Sequence, residues 1–376
     1  MNFTFAEEQE MLKKMARDFL VDKCPKTVVK QLQASDSGYS PELWQEMAGL
    51  GWMGLALPEK YSGTGMSFLD MTILLEEMGR ACLPGPFVST VVLAALPIME
   101  FGTEEQRQKY LPGISAGKTI LTLALSEADG GYDADSISLK GTPDKDGYEL
   151  NGMKLFVPDA NVADFILVVT RTDDKAVPEK GLTVFIVDAK SPGISKTVLK
   201  TIGNDKLCEV VFKGVKVSKD SILGKPNQGW DIVRKTMQQA AVAKCAQILG
   251  SIQPMLEMTV QYAKDRVQGQ VLGSYQSIQH YCAIMAVDVD GARFSTYQAA
   301  WLLSQGLPCN TEVIIAKAWA NEAYLQVSTM AHQIHGAIAC TIDHDLQYYT
   351  KQGAAAALSF GTGDALREML AQEMGL

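Results

Sequence analysis

The sequence predicts an α+β chain in which a helical domain, a β domain and a second helical domain follow one another, over residues 1–120, 121–225 and 226–376. Three observations carry that expectation. Apolar residues recur with the helical period through the first third of the chain. Near residue 120, short β-branched runs bounded by Gly, Asp, Asn and Pro turns take over. From Gly229-Trp230 the helical period returns and lasts to the end.

The elements follow in order. Thr4-Phe5-Ala6-Glu7 is a capping-box start, after which Met11, Met15 and Phe19 recur at helical spacing. Pro41-Glu42-Leu43-Trp44 opens a second helix, with Pro tolerated in the first turn behind Ser40. Leu57 to Gly65 is turn-rich and delivers the chain into a third helix, Ser67 to Arg80. A further helix carries Val91 to Phe101, and Gly102-Thr103-Glu104-Glu105-Gln106 caps the next. These helices read as one all-α unit. Strand signals sit at 120–125, 148–150, 165–170, 182–187 and 209–212, spaced as in a small sheet or barrel, with Asp144-Lys145-Asp146 and Asp173-Asp174-Lys175 as hairpin tips. Long helical segments at 230–266 and 275–303 follow, and most of the 17 Met are expected to fill core.

Composition narrows the function. A chain of 376 residues with 47% hydrophobic and 20% charged content has material for two or three globular domains. Its formal charge of -9 argues against nucleic acid, which needs clustered Lys and Arg. No apolar run approaches the roughly 18 residues of a membrane span. The acidic N-terminus is unlike a signal peptide, and seven scattered cysteines without a C-x-x-C fit reduced thiols, so the expected compartment is the cytoplasm. Four histidines without a close His/Cys cluster predict no metal site.

The densest set of polar and glycine positions is C-terminal. Gln333-Ile334-His335-Gly336-Ala337 is followed by Asp343-His344-Asp345 and then by Leu358-Ser359-Phe360-Gly361-Thr362-Gly363, where the glycines break the helical pattern and make a loop. His335 and His344 read as structural, since nothing pairs them with a nucleophile.

Five pieces in this order resemble the acyl-CoA dehydrogenase family: Leu57-Pro58-Glu59-Lys60-Tyr61-Ser62-Gly63-Thr64-Gly65, Phe101-Gly102-Thr103-Glu104-Glu105-Gln106, Ala124-Leu125-Ser126-Glu127, Tyr262-Ala263-Lys264-Asp265-Arg266-Val267-Gln268 and Gln333-Ile334-His335-Gly336. The resemblance spans the whole chain. It implies an N-terminal helical domain, a middle β domain and a C-terminal four-helix bundle. It also implies FAD as cofactor, an acyl-CoA substrate, an oligomeric assembly and an electron-transfer flavoprotein as acceptor. Such enzymes desaturate an acyl-CoA by taking the α proton onto a carboxylate while the β hydrogen leaves as hydride to the flavin. A desolvated base and donors on the thioester oxygen are what that chemistry needs.

The resemblance assigns cofactor contacts to Leu125, Ser126, Phe156, Pro158, Arg266, Gln276, Gln333, Gly336 and Thr362. It also exposes departures. The usual base, a Glu before Gly-Thr, falls on Phe360, and the alternative on the long helix falls on Ala240 and Ala241. A Trp-Ile-Thr strand end becomes Phe156-Val157-Pro158, which loses a hydroxyl donor near the flavin; a Phe before Gly269 is missing; and a Gly-Gly pair becomes Gly336-Ala337. In the family Arg266, Gln276, Gln333 and Gly336 would act on the cofactor of the neighbouring subunit. Three functions follow. One is a base-lacking subunit that completes the flavin site of a sister chain, most simply in an α2β2 heteromer. A second is a homo-oligomeric flavoenzyme with a different base, and a third is a non-catalytic acyl-CoA-binding or scaffold protein.

Overall fold

A computed structural model describes residues 5–376. The chain opens with α1 (Glu7–Lys23), α2 (Lys26–Ala34), α3 (Pro41–Gly49), α4 (Phe68–Ala81), α5 (Leu96–Phe101) and α6 (Glu104–Ser115). Thr4 lies outside the described residues. Helix α1 takes Ala6 as its N-cap residue, whose backbone N–H donates to Gln9 Oε1 at 3.1 Å. The face it buries is Leu12, Ala16 and Leu20, while Met11 and Met15 are exposed. The stripe is therefore one residue out of phase with Met11 and Met15, because α4, packed on α1, meets the Leu face. Methionines divide likewise: Met47, Met53, Met71, Met78, Met255 and Met285 are buried, but Met153 and Met374 are exposed, so core filling accounts for fewer than expected.

Helix starts follow their caps. Ser40 Oγ accepts from Leu43 N at 3.1 Å, and capping boxes join Ser67 with Asp70 and Thr103 with Gln106. Helix α2 follows Pro25 without a Ser, Thr or Asp cap and was not expected. The helix expected from Val91 begins earlier, as a wide π-helical stretch at Val88–Ala95, and becomes α5 only at Leu96.

The middle of the chain forms β1 (Leu121–Ala124), β2 (Lys140–Asp144), β3 (Gly147–Pro158), β4 (Phe165–Arg171), β5 (Leu182–Asp188), β6 (Ile194–Val198), β7 (Leu207–Ser218) and β8 (Ile222–Leu223). They make one eight-stranded sheet in the order β6-β7-β3-β2-β4-β5-β8, with β1 parallel to β4. Strands β4 and β5 are buried over nearly their whole length, as continuous β-branched runs require. The short polar strands β2 and β6 carry no such run and were not expected. Ala124, Leu150, Val157, Phe185, Cys208 and Phe212 lie in the core of this region.

The last part is helical: α7 (Gly229–Asp265), a small ribbon of β9 (Val267–Gln268) and β10 (Gln270–Val271), α8 (Gln276–Ser304), α9 (Asn310–His335), α10 (Leu346–Leu358) and α11 (Gly363–Glu373). Among the described residues no helix is long and apolar enough to cross a membrane.

The chain divides into two compact units. One holds the chain up to Lys30, Ser67–Leu83 and Ala241–Leu376; the other holds Gln31–Met66 and Pro84–Ala240. The N-terminal helices are thus shared out, with α1 and α4 in the unit of the C-terminal bundle. Within that unit, buried acids on α4 explain the grouping. Glu77 takes a bidentate pair from Arg17 of α1 at 2.7 and 2.8 Å. Glu76 accepts from Arg293 of α8 at 2.9 Å and from the Tyr297 hydroxyl at 2.5 Å. Burial alone would raise the Glu76 carboxyl, but Arg293 and Lys13 hold it below the usual range.

Candidate active site

In the sheet-bearing unit, the end of β1 delivers Leu125, Ser126 and Glu127. Ser126 is exposed, and its carbonyl accepts from Leu155 N at 2.9 Å, tying the strand end to β3. Glu127 turns inward. It takes an ion pair at 2.6 Å from the fully buried Lys154 of β3, backbone N–H bonds from Ser138 and Leu139 at 3.0 Å each, and the Ser138 hydroxyl. Lys154 Nζ also donates to Leu125 O at 2.9 Å. Burial pushes the Lys154 ammonium down to about 8 against the pull of Glu127. Burial would raise Glu127, but Lys154, Ser138 and the Leu139 N–H hold it below the usual carboxylate range. Glu127 is therefore spent on fixing the strand end, and of the pair Ser126-Glu127 only Ser126 is offered to a ligand.

Two residues beyond Lys154, the β3–β7 register shifts, and Phe156 adopts φ 55°. The irregularity leaves the ring 55% exposed in the middle of a strand. A left-handed Phe is uncommon and costs energy that a Gly would avoid. Pro158 ends the strand, and Asp159 beside it, φ 52°, accepts from Ser89 Oγ at 2.6 Å. Ala240 in α7 is fully buried.

In the bundle unit, Arg266 follows the last turn of α7. Its guanidinium is exposed and has no ion pair or side-chain hydrogen bond among the described residues. The β9–β10 ribbon turns back here, Leu272 N reaching Arg266 O at 2.7 Å, and the following turn brings Gln276 in as the exposed first residue of α8. Gln333 is exposed in the last turn of α9, and Gly336 beyond it has φ 68°. His335 joins these two places. Its ring stacks on Tyr262 of α7 at 4.5 Å, and the Tyr262 hydroxyl is 3.5 Å from His335 O. His344 meets the same ring edge-on at 5.1 Å. Burial lowers the His335 pKa, which favours the neutral ring against Tyr262.

The C-terminal turn is held from below. Helix α10 ends at Leu358, Phe360 is half-buried at φ 55°, Gly361 has φ 117°, and Thr362 takes the N-cap position of α11. Only Gly adopts the Gly361 conformation without strain. The buried ammonium of Lys317 on α9 donates to Asn321 Oδ1 at 2.6 Å, to Ala356 O at 3.1 Å, to Ala357 O at 3.3 Å and to Gly361 O at 3.4 Å. Asn321 Nδ2 reaches Gly361 O at 3.1 Å. A cation at the carbonyl end of α10 complements the helix dipole. Burial nevertheless pushes Lys317 down to about 8.

The sequence reading missed Lys154, Lys317 and Asn321. The available signals were a Lys inside the apolar run Val313-Ile314-Ile315-Ala316-Lys317-Ala318-Trp319, with Asn321 four residues on, and a Lys pointing with the inward residues of a strand.

Sequence models of one family cover nearly the whole chain: "Acyl-CoA dehydrogenase, N-terminal domain" matches residues 6–118, the middle domain 122–215 and the C-terminal domain 227–375. A short-chain specific acyl-CoA dehydrogenase of Megasphaera elsdenii is 31% identical over 97% of both chains. Among solved structures, a variant of the Tcur3481–Tcur3483 steroid ACAD superposes with a TM-score of 0.88, at 32% identity and 98% coverage of each chain. The ChsE4–ChsE5 complex from Mycobacterium tuberculosis superposes with 0.91, at 27% identity, covering 100% of this chain and 99% of that one.

Proposed function

Because this chain belongs to the acyl-CoA dehydrogenase family, FAD-dependent oxidoreductases acting on CH–CH donors, we propose that it is a subunit without the usual base that completes the flavin site of a partner chain. The simplest assembly is α2β2, acting on an acyl-CoA in the cytoplasm and passing electrons to an electron-transfer flavoprotein. Its domains on this reading are 1–120, 121–225 and 226–376. The carrying observation is a contrast within the bundle unit. The turn at the base position is fully built and clasped by Lys317 and Asn321 yet presents Phe360, while Arg266 stands exposed, with no side-chain partner among the described residues.

The donor set on the bundle unit fits the anionic pyrophosphate of a dinucleotide. Arg266 offers a free planar fork, Gln276 and Gln333 are exposed amides, and Gly336 has no atom within 4 Å of where a Cβ would stand. A bound flavin would supply the hydride acceptor. The chain's own residues would do less at their own thioester: Phe360 and Ala240 can take no proton, and Pro158 donates no hydrogen bond. Leu125, Ser126 and Phe156 of the sheet-bearing unit would still line a ring, and Thr362 keeps a hydroxyl at the start of α11. Of the solved relatives, one described as a complex of two named chains supports the heteromeric reading, and one described as a steroid ACAD makes a steroid-derived acyl group the substrate class to try first.

The test is purification of the tagged full-length chain from its native host, with flavin quantified per chain. A second, homologous chain in equal amount, with one flavin for each pair, is the expected result. A homomer with one flavin per chain that bleaches with acyl-CoA would overturn it in favour of the self-sufficient enzyme.

A further inference from the structure

Arg171 ends β4, and its guanidinium is spent on backbone. Nε donates to Ile137 O at 3.2 Å, Nη2 to Ala134 O at 2.5 Å and Nη1 to Pro178 O at 2.7 Å. It thereby pins the segment that follows Glu127 to the turn between β4 and β5, and no carboxylate pairs with it among the described residues. That turn is shaped around the fork: a Cβ on Gly181 would fall 2.9 Å from Arg171 Nη1. A planar guanidinium sets donors along three such directions at once, which an ammonium cannot.

Two rigid peptide groups carry this anchor to the end of β1. A peptide group is planar, so fixing its oxygen fixes the direction of its N–H. Ile137 O, held by Arg171, and Ser138 N, which donates to Glu127 Oε2 at 3.0 Å, belong to one such group. Leu139 is held from both sides: its oxygen accepts from Arg171 N at 2.7 Å, and its N–H donates to Glu127 Oε1 at 3.0 Å. Glu127 passes the restraint to Lys154 at 2.6 Å, and Lys154 Nζ passes it to Leu125 O at 2.9 Å. Leu125 O shares a peptide group with the N–H of the exposed Ser126, which has no acceptor among the described residues.

We propose that Arg171 is a positioning residue for the flavin: through the 137–138 and 125–126 peptide groups it aims the Ser126 N–H at the ring. This rests on the cofactor contacts read above at Leu125 and Ser126. Lys154 alone does not fix that aim. The Glu127 carboxylate takes its other donors, Ser138 N, Ser138 Oγ and Leu139 N, from the segment that Arg171 holds. With that segment released, the carboxylate keeps only Lys154 and moves with it, and Leu125 O follows. A donor aimed at a flavin ring stabilises the reduced, more negatively charged ring more than the oxidised one, so the reduction potential records how well the N–H is aimed.

The experiment compares Arg171→Lys with Thr172→Val in the flavin-loaded assembly purified through the tagged full-length chain. Thr172 is the next residue, and its hydroxyl bonds Thr183 Oγ1 at 2.7 Å and Asn227 Oδ1 at 2.6 Å, partners outside the segment after Glu127. A general loosening of this strand end would act alike in both variants. Arg171→Lys should lower the midpoint potential by about 30 mV, which for a two-electron couple is about a tenfold loss of preference for reduced flavin. It should also speed amide hydrogen exchange at Ser138 about tenfold. Thr172→Val should do neither. A native potential in Arg171→Lys, or an equal fall in Thr172→Val, would overturn the proposal. Ser126→Pro deletes the N–H itself. A potential lowered there but not in Arg171→Lys overturns the positioning role and keeps the cofactor contact; a potential unmoved in both overturns the contact as well. Should Arg171→Lys not fold, Ser136→Gly loosens the same segment, because Ser136 Oγ bonds Gly131 O at 3.2 Å and Asp133 O at 2.7 Å, and a native potential there overturns the proposal. Chain composition, read on the same preparation, decides the subunit reading separately.

Discussion

Lys154→Met removes the ammonium from the buried pair that anchors Leu125 and Glu127, at nearly constant volume. At 2.6 Å, the attraction between Lys154 and Glu127 is gross about 6 kcal/mol for an effective dielectric of about 20. Dehydration of both ions offsets much of it, and the fall of Lys154 to about 8 shows that burial outweighs the attraction on the lysine side. The variant loses the attraction but keeps the buried carboxylate, supported only by Ser138 and the Leu139 N–H. The expected loss is about 3–5 kcal/mol at pH 7, the usual cost of orphaning one member of such a pair. Its pH dependence follows from Glu127. In the native chain its carboxyl is held low, so its contribution is present above the unfolded pKa and lost as pH falls through the folded one. Without the ammonium, Glu127 titrates higher and is relieved by protonation. The deficit should therefore shrink from pH 7 to pH 5. Adding Glu127→Gln to Lys154→Met should recover part of the loss, because no charge is then left buried. Urea unfolding of the sheet-bearing unit, followed by near-UV circular dichroism at both pH values, reads all three variants. A loss under 1 kcal/mol, or a deficit equal at pH 5 and pH 7, would refute the reasoning.

Other outcomes are expected. Arg266→Ala should weaken flavin retention in the assembled oligomer by about 1.5–3 kcal/mol, measured by flavin titration, with unchanged affinity removing its phosphate role. The chain expressed alone should not bleach flavin with saturated acyl-CoAs, since a positioned base typically contributes about 10²–10⁴-fold and Phe360 and Ala240 supply none; rapid bleaching would show that another group is the base. In Phe360→Glu, a Glu on the clasped turn should bring measurable proton exchange at the acyl α carbon only while Lys317 is present, and exchange undiminished in Phe360→Glu/Lys317→Met would deny the clasp its role. Lys317, at about 8 when folded against 10.5 for the ordinary group, has already lost between those values a proton that the unfolded chain still holds. The native chain should then gain stability over Lys317→Met as pH rises from about 8 to about 10.5, by up to about 3 kcal/mol; a flat difference curve would contradict that.

The order helix, sheet, helix was legible in the sequence because hydrophobic period is a local property, and so were the helix starts at Ser40, Ser67 and Thr103, whose caps lie within three residues. That Phe360, Ala240 and Pro158 carry no carboxylate or hydroxyl is a matter of residue identity alone. Position along the chain also marked the turn around Gly361. What stayed hidden depended on distant partners. Which face of α1 is buried is decided by α4, through Arg17 and Glu77, 60 residues apart, and α8 is drawn to α4 by Arg293 and Glu76, 217 apart. Lys154 and Lys317 gain their partners only when the fold brings Glu127 or a helix end to each. The weak, polar strands β2 and β6 exist because β3 and β7 offer them hydrogen bonds, not because their own residues prefer to extend. Periodicity thus settled the layers, while the charges that hold the strand end and the C-terminal turn were chosen by tertiary packing, because the free energy of a buried charge depends on whatever the whole chain places around it.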